Sequence, residues 1–359
     1  MQRAARVSPV PPIMPITLLA SAASVGLLMP TTRAHATTPP SYTFTNYTTA
    51  NGLGSNLVYS VSATSSAIYA ALNNAGLGIS TDGGSSWTNR TTANGLGSNY
   101  VFGISTVGDT IYAATANGLS VSSNGGMGWT NYTSANGLGS STVNDVYASG
   151  NSVYAATANG LSVSTNNGSS WINYTAGNGL GSDTVYSVYA SGSAIYAGTA
   201  NGLSISLNGG ATWTNSSSAN GLGSPGIDTV IGVYASGGII YAGISYGGLS
   251  ISYDGGQTWI NRTTASGLGD NWVGGVYAVG NTIYAATGGG VSISYDGGAT
   301  FSNYTTANGL GSDFVYNISV VGDTIYAATA NGVSVGVVPA PGAVALLGLA
   351  GVAGKRRRR

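Results

Sequence analysis

Residues 94–133 read NGLGSNYVFGISTVGDTIYAATANGLSVSSNGGMGWTNYT. Four short runs in this stretch have the character of strands: YVFGIS (100–105), TIYAAT (110–115), GLSVS (118–122) and WTNYT (129–133). Each is rich in β-branched, aromatic and small residues in near alternation, and each is bounded by Gly, Asn, Asp or Ser. The opening phrase recurs as NGLG, once as SGLG, at residues 51, 94, 136, 178, 220, 266 and 308. The intervals are 43, 42, 42, 42, 46 and 42 residues, and the same four runs follow each time.

Four strands in a unit of about 40–45 residues make one propeller blade. The reading is therefore an all-β chain: a seven-bladed β-propeller over residues 42–337, four antiparallel strands per blade. No segment between Thr37 and Val338 shows a helical period. The phase of the repeat predicts how the ring closes. YTFTNYT (42–48) precedes the first NGLG as an outer strand without a blade, and the last unit stops before its own outer strand. The N-terminal strand is expected to complete the last blade beside residues 332–336, with Phe44 in the Trp position, so that no open edge is left. The alanines of IYAAT keep side chains small where blades converge, and Asn-Gly pairs supply positive φ at tight turns.

Composition narrows the chemistry. The chain has 359 residues, 58 of them Gly, 43% hydrophobic, with no Cys and a single His. Disulfides and thiolate metal sites are excluded. Arg3, Arg6 and Arg33 lie near the start and Lys355 to Arg359 form the end. Between them only Arg90 and Arg262 face all ten acids, every one an Asp, leaving a body with net charge −8. Such a body cannot neutralise phosphates, which argues against nucleic acid.

The two ends read as addresses. In residues 1–36 a positive start (Arg3, Arg6) precedes an uncharged run from Ile13 to Met29 and then Ala34-His35-Ala36, the small-x-small pattern of a cleaved secretory signal. An uncleaved anchor is the competing reading. His35 leaves with the signal. At the other end, residues 338–359 combine Val338-Pro339-Ala340-Pro341, an apolar run from Gly342 to Gly354, and KRRRR. This order resembles the PEP-CTERM sorting tails of Gram-negative bacteria, with Ala340 in place of the usual Glu. The resemblance implies processing by an exosortase in an organism that makes exopolysaccharide, transient membrane anchoring, and a place at the cell surface or in the extracellular matrix.

A second motif, Ser-x-Asp/Asn-x-Gly-x-x-Trp/Phe, lies between the third and fourth strands. It occurs at 80–87, 122–129, 164–171, 206–213, 252–259 and 294–301. It resembles the Asp-box of sialidase-type propellers, also known as the BNR repeat. Asp82, Asn124, Asn166, Asn208, Asp254 and Asp296 alternate at its key position. Either side chain caps a turn, so these residues are read as structural. The NGLGSN…VYSV…IYAAT…GLSIS frame also resembles the periplasmic propeller repeats of two-component sensor proteins. Neither resemblance fixes function, because propellers host many activities.

Catalysis is sparsely provided for. A sialidase needs an arginine cluster and a Tyr/Glu pair, and the body has two arginines and no Glu. Arg90 and Arg262 are expected to be solvated on outer strands. Nucleophilic chemistry through His or Cys has no residues to run on. An Asp-pair glycoside hydrolase of the two-propeller, xyloglucanase type is the surviving enzymatic alternative. A sensor-like module is another. The leading expectation is a non-enzymatic surface or matrix propeller that binds glycan or another surface protein.

Any small ligand is expected at the mouth formed by the NGLG loops. There the position before the inner strand reads Asn56, Asn99, Ser141, Asp183, Asp228, Asn271 and Asp313, and the next reads Leu57, Tyr100, Thr142, Thr184, Thr229, Trp272 and Phe314. The candidate contact residues are Tyr100, Asp183, Asp228, Asp270, Asn271, Trp272, Asp313 and Phe314. Aromatic plates suit sugars and oxygen donors suit calcium, with ordinary loop decoration as the competing reading. Asp109 and Asp323 fall in turns after the first strand, and Asp145 within one. The sequons at Asn46, Asn89, Asn131, Asn173, Asn215, Asn261 and Asn303 share one repeat position; they fit N-glycan acceptors but are read as alternation in an exposed outer strand.

Overall fold

Each run forms a strand and each unit forms a sheet. The computed structural model describes residues 41–338. The expected signal over 1–36 and the tail beyond Val338 lie outside the described residues. In blade I the strands are Val58–Ala63, Ile68–Leu72, Gly76–Ser80 and Thr88–Arg90, from the channel outward. Blades II to VI repeat this order over 101–132, 143–174, 185–216, 230–262 and 273–304. Blade VII consists of Val315–Val321, Thr324–Thr329 and Gly332–Val337, with Thr43–Tyr47 as its outer strand. The closing strand runs antiparallel, Thr43 opposite Val337 and Tyr47 opposite Val333. Phe44 is buried there, and Tyr42 meets Tyr304 edge-on at 5.7 Å. The expected closure therefore holds.

Among the described residues the core is divided. Apolar side chains gather in seams between adjacent blades. One seam joins Tyr154, Ala156 and Leu161 of blade III to Val185, Val188 and Ile195 of blade IV. Another joins Val58, Val61 and Ile68 of blade I to Ala328 and Val333 of blade VII, which seals the ring. Each seam needs the alanines of the second strand, of which Ala113, Ala155 and Ala327 are fully buried.

After each outer strand a three-residue 3-10 turn ends on the first residue of the next NGLG phrase, or of SGLG in one unit. The first glycine of the phrase ends it with φ between 90° and 109°. An L side chain is strained there, which explains why this glycine recurs in all seven units.

The Ser-x-Asp/Asn turns are built as their chemistry predicts. Ser80 Oγ accepts from Gly84 N at 2.8 Å and donates to Asp82 Oδ1 at 2.9 Å. Asp82 also receives the Ser86 hydroxyl and amide. Those bonds hold its carboxyl at about 2, and the Thr258 hydroxyl and amide do the same for Asp254. Asn166 performs the same task, accepting from Ser170 N and donating to its hydroxyl. An amide that substitutes for a carboxylate in the same bonds marks the position as a turn cap.

One expectation about the outer strand is extended and one is corrected. The sequon asparagines Asn131, Asn173, Asn215 and Asn303 are exposed, and they also carry bonds. Asn131 Nδ2 donates to Gly95 O at 2.9 Å while its Oδ1 accepts from Ser120 Oγ at 2.6 Å, and Asn89, Asn173, Asn215, Asn261 and Asn303 bond their NGLG loops in the same way. Each asparagine ties its own outer strand to the preceding loop, so its amide is already committed. Arg90 and Arg262 are not simply solvated. Their Nε atoms are enclosed without a hydrogen-bond partner among the described residues, and the Arg90 stem lies over Gly126 of the next blade. The Arg90 stem thus takes a place that tyrosine takes in other blades.

Candidate functional site

Every innermost strand carries the same irregularity. The register slips between Val58 and Ser60, Val101 and Gly103, Val143 and Asp145, Val185 and Ser187, Val230 and Gly232, Val273 and Gly275, and Val315 and Asn317. Such a bulge leaves one extra residue unpaired and re-aims its side chain. The residues concerned are Tyr59, Phe102, Asn144, Tyr186, Ile231, Gly274 and Tyr316, and all seven line one cavity of about 340 Å³ at the channel mouth. Trp272 and Ser245 complete its wall.

The aromatic members form an arc. Tyr59 lies 5.9 Å from Phe102 and 5.7 Å from Tyr316 between ring centroids. Tyr316 continues to Phe314 at 4.8 Å, and Phe314 to Trp272 at 4.6 Å. Gly274 explains why the arc stops there. A Cβ on Gly274 would run into the Trp272 indole, so the missing side chain makes room for the tryptophan. Burial and the neighbouring Tyr59 raise the Tyr316 hydroxyl above its ordinary value. Asn144 and Tyr186 lie on the other side of the ring, and Asn144 Nδ2 donates to Val185 O at 2.7 Å.

Below the mouth the channel narrows to a polar pocket of about 150 Å³ that includes Ser60, Asp145, Ser187 and Asn317. Asp145 bridges blades, with its Oδ2 accepting from Val188 N of blade IV at 3.1 Å. Burial raises its carboxyl to about 7, against the lowering effect of the Val188 and Val146 amides. Gly103 of blade II has no side chain because a Cβ there would stand 2.6 Å from Asp145 Oδ1.

Of the eight residues expected at the mouth, Trp272 lines the cavity and Phe314 packs against it at a tilt of 43°. Tyr100 is 43% exposed and is not part of the lining. The oxygen donors have structural partners. Asp183 Oδ1 accepts from Ala176 N, Asp228 Oδ1 from Ser218 N, Asn271 Oδ1 from Thr264 N and Asp313 Oδ1 from Thr306 N, all at 2.6–2.9 Å. Each of them caps the 3-10 turn of its own loop. Asp270 Oδ1 accepts from Trp272 N at 2.7 Å, the bond that Ser98 Oγ makes to Tyr100 N in blade II. Among the described residues no three His, Cys, Asp or Glu gather into a group able to hold a metal ion.

No family model matches the sequence, and no curated protein matches it. The fold has many solved counterparts. The extracellular domain of a hybrid two-component system protein, BT3049 of B. thetaiotaomicron, superimposes with a TM-score of 0.67 at 18% identity, over 82% of this chain and 42% of that one. YCF48 from Cyanidioschyzon merolae superimposes at 0.61 and 16% identity, over 83% of this chain and 99% of that one. A GH74 enzyme of Niastella koreensis does so at 0.55 and 20% identity, over 78% and 42%. This chain thus spans about two-fifths of the sensor domain and of the GH74 enzyme. At these identities the likeness is one of fold. No described helix is long and apolar enough to cross a membrane.

Proposed function

We propose that this chain is an exported, non-enzymatic propeller of the bacterial surface or extracellular matrix that binds a neutral polysaccharide at the channel mouth. The observation that carries the reading is the aromatic arc from Phe102 through Tyr59, Tyr316 and Phe314 to Trp272, set around a cavity of about 340 Å³. The apolar C–H faces of a pyranose suit such rings, and its hydroxyls suit the amide of Asn144 and the hydroxyl of Ser245. Asp270, Asn271 and Asp313 flank the mouth. No cation lines it, which disfavours an anionic ligand.

The test is a panel of neutral oligosaccharides titrated into residues 37–338, with and without calcium. Trp272→Ala and Tyr316→Ala each weaken binding at least tenfold, about 1.4 kcal/mol, and move the melting temperature by no more than a few degrees. Unchanged affinity in both variants removes the mouth as the site. Release of reducing sugar by the parent protein would favour the glycoside-hydrolase alternative, for which the GH74 likeness is the supporting observation.

The export part of the proposal rests on the two ends. A signal over 1–36 and a PEP-CTERM-like tail handled by an exosortase predict a mature chain that begins near Thr37 and ends near Pro341. Intact-mass measurement of protein from the native envelope checks this. Surface protein still ending in RRRR would overturn the sorting role.

A further inference from the structure

One blade breaks the repeat at its rim. The last residue of each outer strand is large in six blades: Tyr47, Arg90, Tyr132, Tyr174, Arg262 and Tyr304. Blade IV has Ser216 there. In four of these blades the large residue reaches the turn of the following blade. Tyr47 lies against Gly84, Tyr132 against Gly168 and Tyr174 against Gly210, and the Tyr174 hydroxyl donates to Gly209 O at 3.3 Å. The Tyr132 and Tyr174 rings also meet Trp171 and Trp213 edge-on at 6.0 and 5.5 Å.

Ser216 cannot make these contacts. Its short hydroxyl bonds Gly256 O at 3.2 Å, and above it a cavity of about 510 Å³ opens between blades IV and V. Ile205, Leu207, Thr214, Gly255, Gly256 and Gln257 are among its walls, and Leu207 is 65% exposed at its entrance. This cavity lies on the side of the Ser-x-Asp/Asn turns, away from the channel mouth. None of its lining residues is charged.

We propose that this socket receives the phenol ring of a tyrosine from a partner protein. At the corresponding turns of blades I, III and IV a tyrosine of this chain is accepted, over Val335, Val121 and Val163 where this socket has Ile205, and Gly255 holds the motif position of Gly209, which meets the Tyr174 hydroxyl. The uncharged lining suits a phenol better than a guanidinium. Residues 1–40 and 339–359 contain no Tyr, Phe or Trp.

N-acetyl-tyrosinamide, followed by nuclear magnetic resonance on the propeller body, is the probe. Saturable shifts at Leu207, Gly255 and Gln257 are expected with a dissociation constant on the order of 1 mM. The phenylalanine analogue binds several-fold more weakly. Ser216→Tyr abolishes the response and raises the melting temperature, and Trp272→Ala leaves it intact, which separates this site from the channel mouth. Leu207→Arg, an exposed change that spares the core, weakens binding at least fivefold. Unchanged binding in Ser216→Tyr or Leu207→Arg, or no preference for tyrosine over phenylalanine, overturns the proposal.

Discussion

A chain lacking residues 37–48 loses the closed ring and unfolds well below the parent's melting temperature. The deletion removes the strand Thr43–Tyr47, whose five residues pair from Val337 to Val333. It strips Tyr42 and Phe44 from the core shared by blades VI and VII. It also leaves Gly332–Val337 as a bare edge, ready to pair with another molecule. Phe44→Ala alone is expected to cost about 3–5 kcal/mol, the usual range for a buried phenylalanine. In a body of this size that lowers the melting temperature by about 5–8 °C. The deletion costs more and adds concentration-dependent aggregation. A synthetic peptide of residues 41–48 added in excess should recover part of the loss, because it restores the same ladder in trans. Calorimetry and light scattering on the three samples check this. A deletion variant that melts with the parent and stays monomeric would show that the seventh blade closes some other way.

That closure was legible because the repeat carries a phase. Seven inner strands and only six outer strands follow the NGLG phrases, so the stretch 42–48 had to be the seventh outer strand. The turn caps were legible for a similar reason, since Asp and Asn alternate at 82, 124, 166, 208, 254 and 296 without changing their task. The channel lining was less legible. Strict alternation assigns side chains to two faces of a blade, whereas the bulge creates a third direction, toward the axis. A signal did exist. After the constant Val of each inner strand the next residue reads Tyr, Phe, Asn, Tyr, Ile, Gly, Tyr around the ring. The variation at Asp183, Asp228 and Asp313 has a structural account, because Asn, Ser and Asp there are interchangeable caps. The exposure of the sequon asparagines is legible in the sequence, but their partners are not. Only the register, with Asn131 opposite Ser120, shows what they bond.

Asp145→Asn should stabilise the propeller at neutral and alkaline pH and flatten its pH dependence. The residue sits one step past the bulge of blade III, where the other blades carry Ser60, Gly103, Ser187, Gly232, Gly275 and Asn317. None of those titrates near neutrality. The described cations, Arg90 and Arg262, are on outer strands. Part of the Asp145 side chain opens on the channel, yet neighbouring backbone crowds the carboxyl, and burial raises it from 3.8 to about 7. The folded state therefore holds the proton more tightly than the unfolded chain does. Its contribution is fully present below about pH 4, declines as pH rises toward about 7, and is constant above that. A shift of this size corresponds to about 4 kcal/mol at most, reduced by whatever channel water screens. The protein itself supplies the precedent for asparagine. Asn317 Oδ1 receives Val61 N of the next blade at 3.4 Å, just as Asp145 receives Val188 N. The variant keeps that interblade bond without the buried charge. Urea unfolding at pH 4.5, 6 and 8 reads the difference: the parent loses stability across the series, while Asp145→Asn changes little and is the more stable protein at pH 8. Parallel pH profiles for the two proteins would mean that Asp145 stays ionised in the fold and that the channel solvates it.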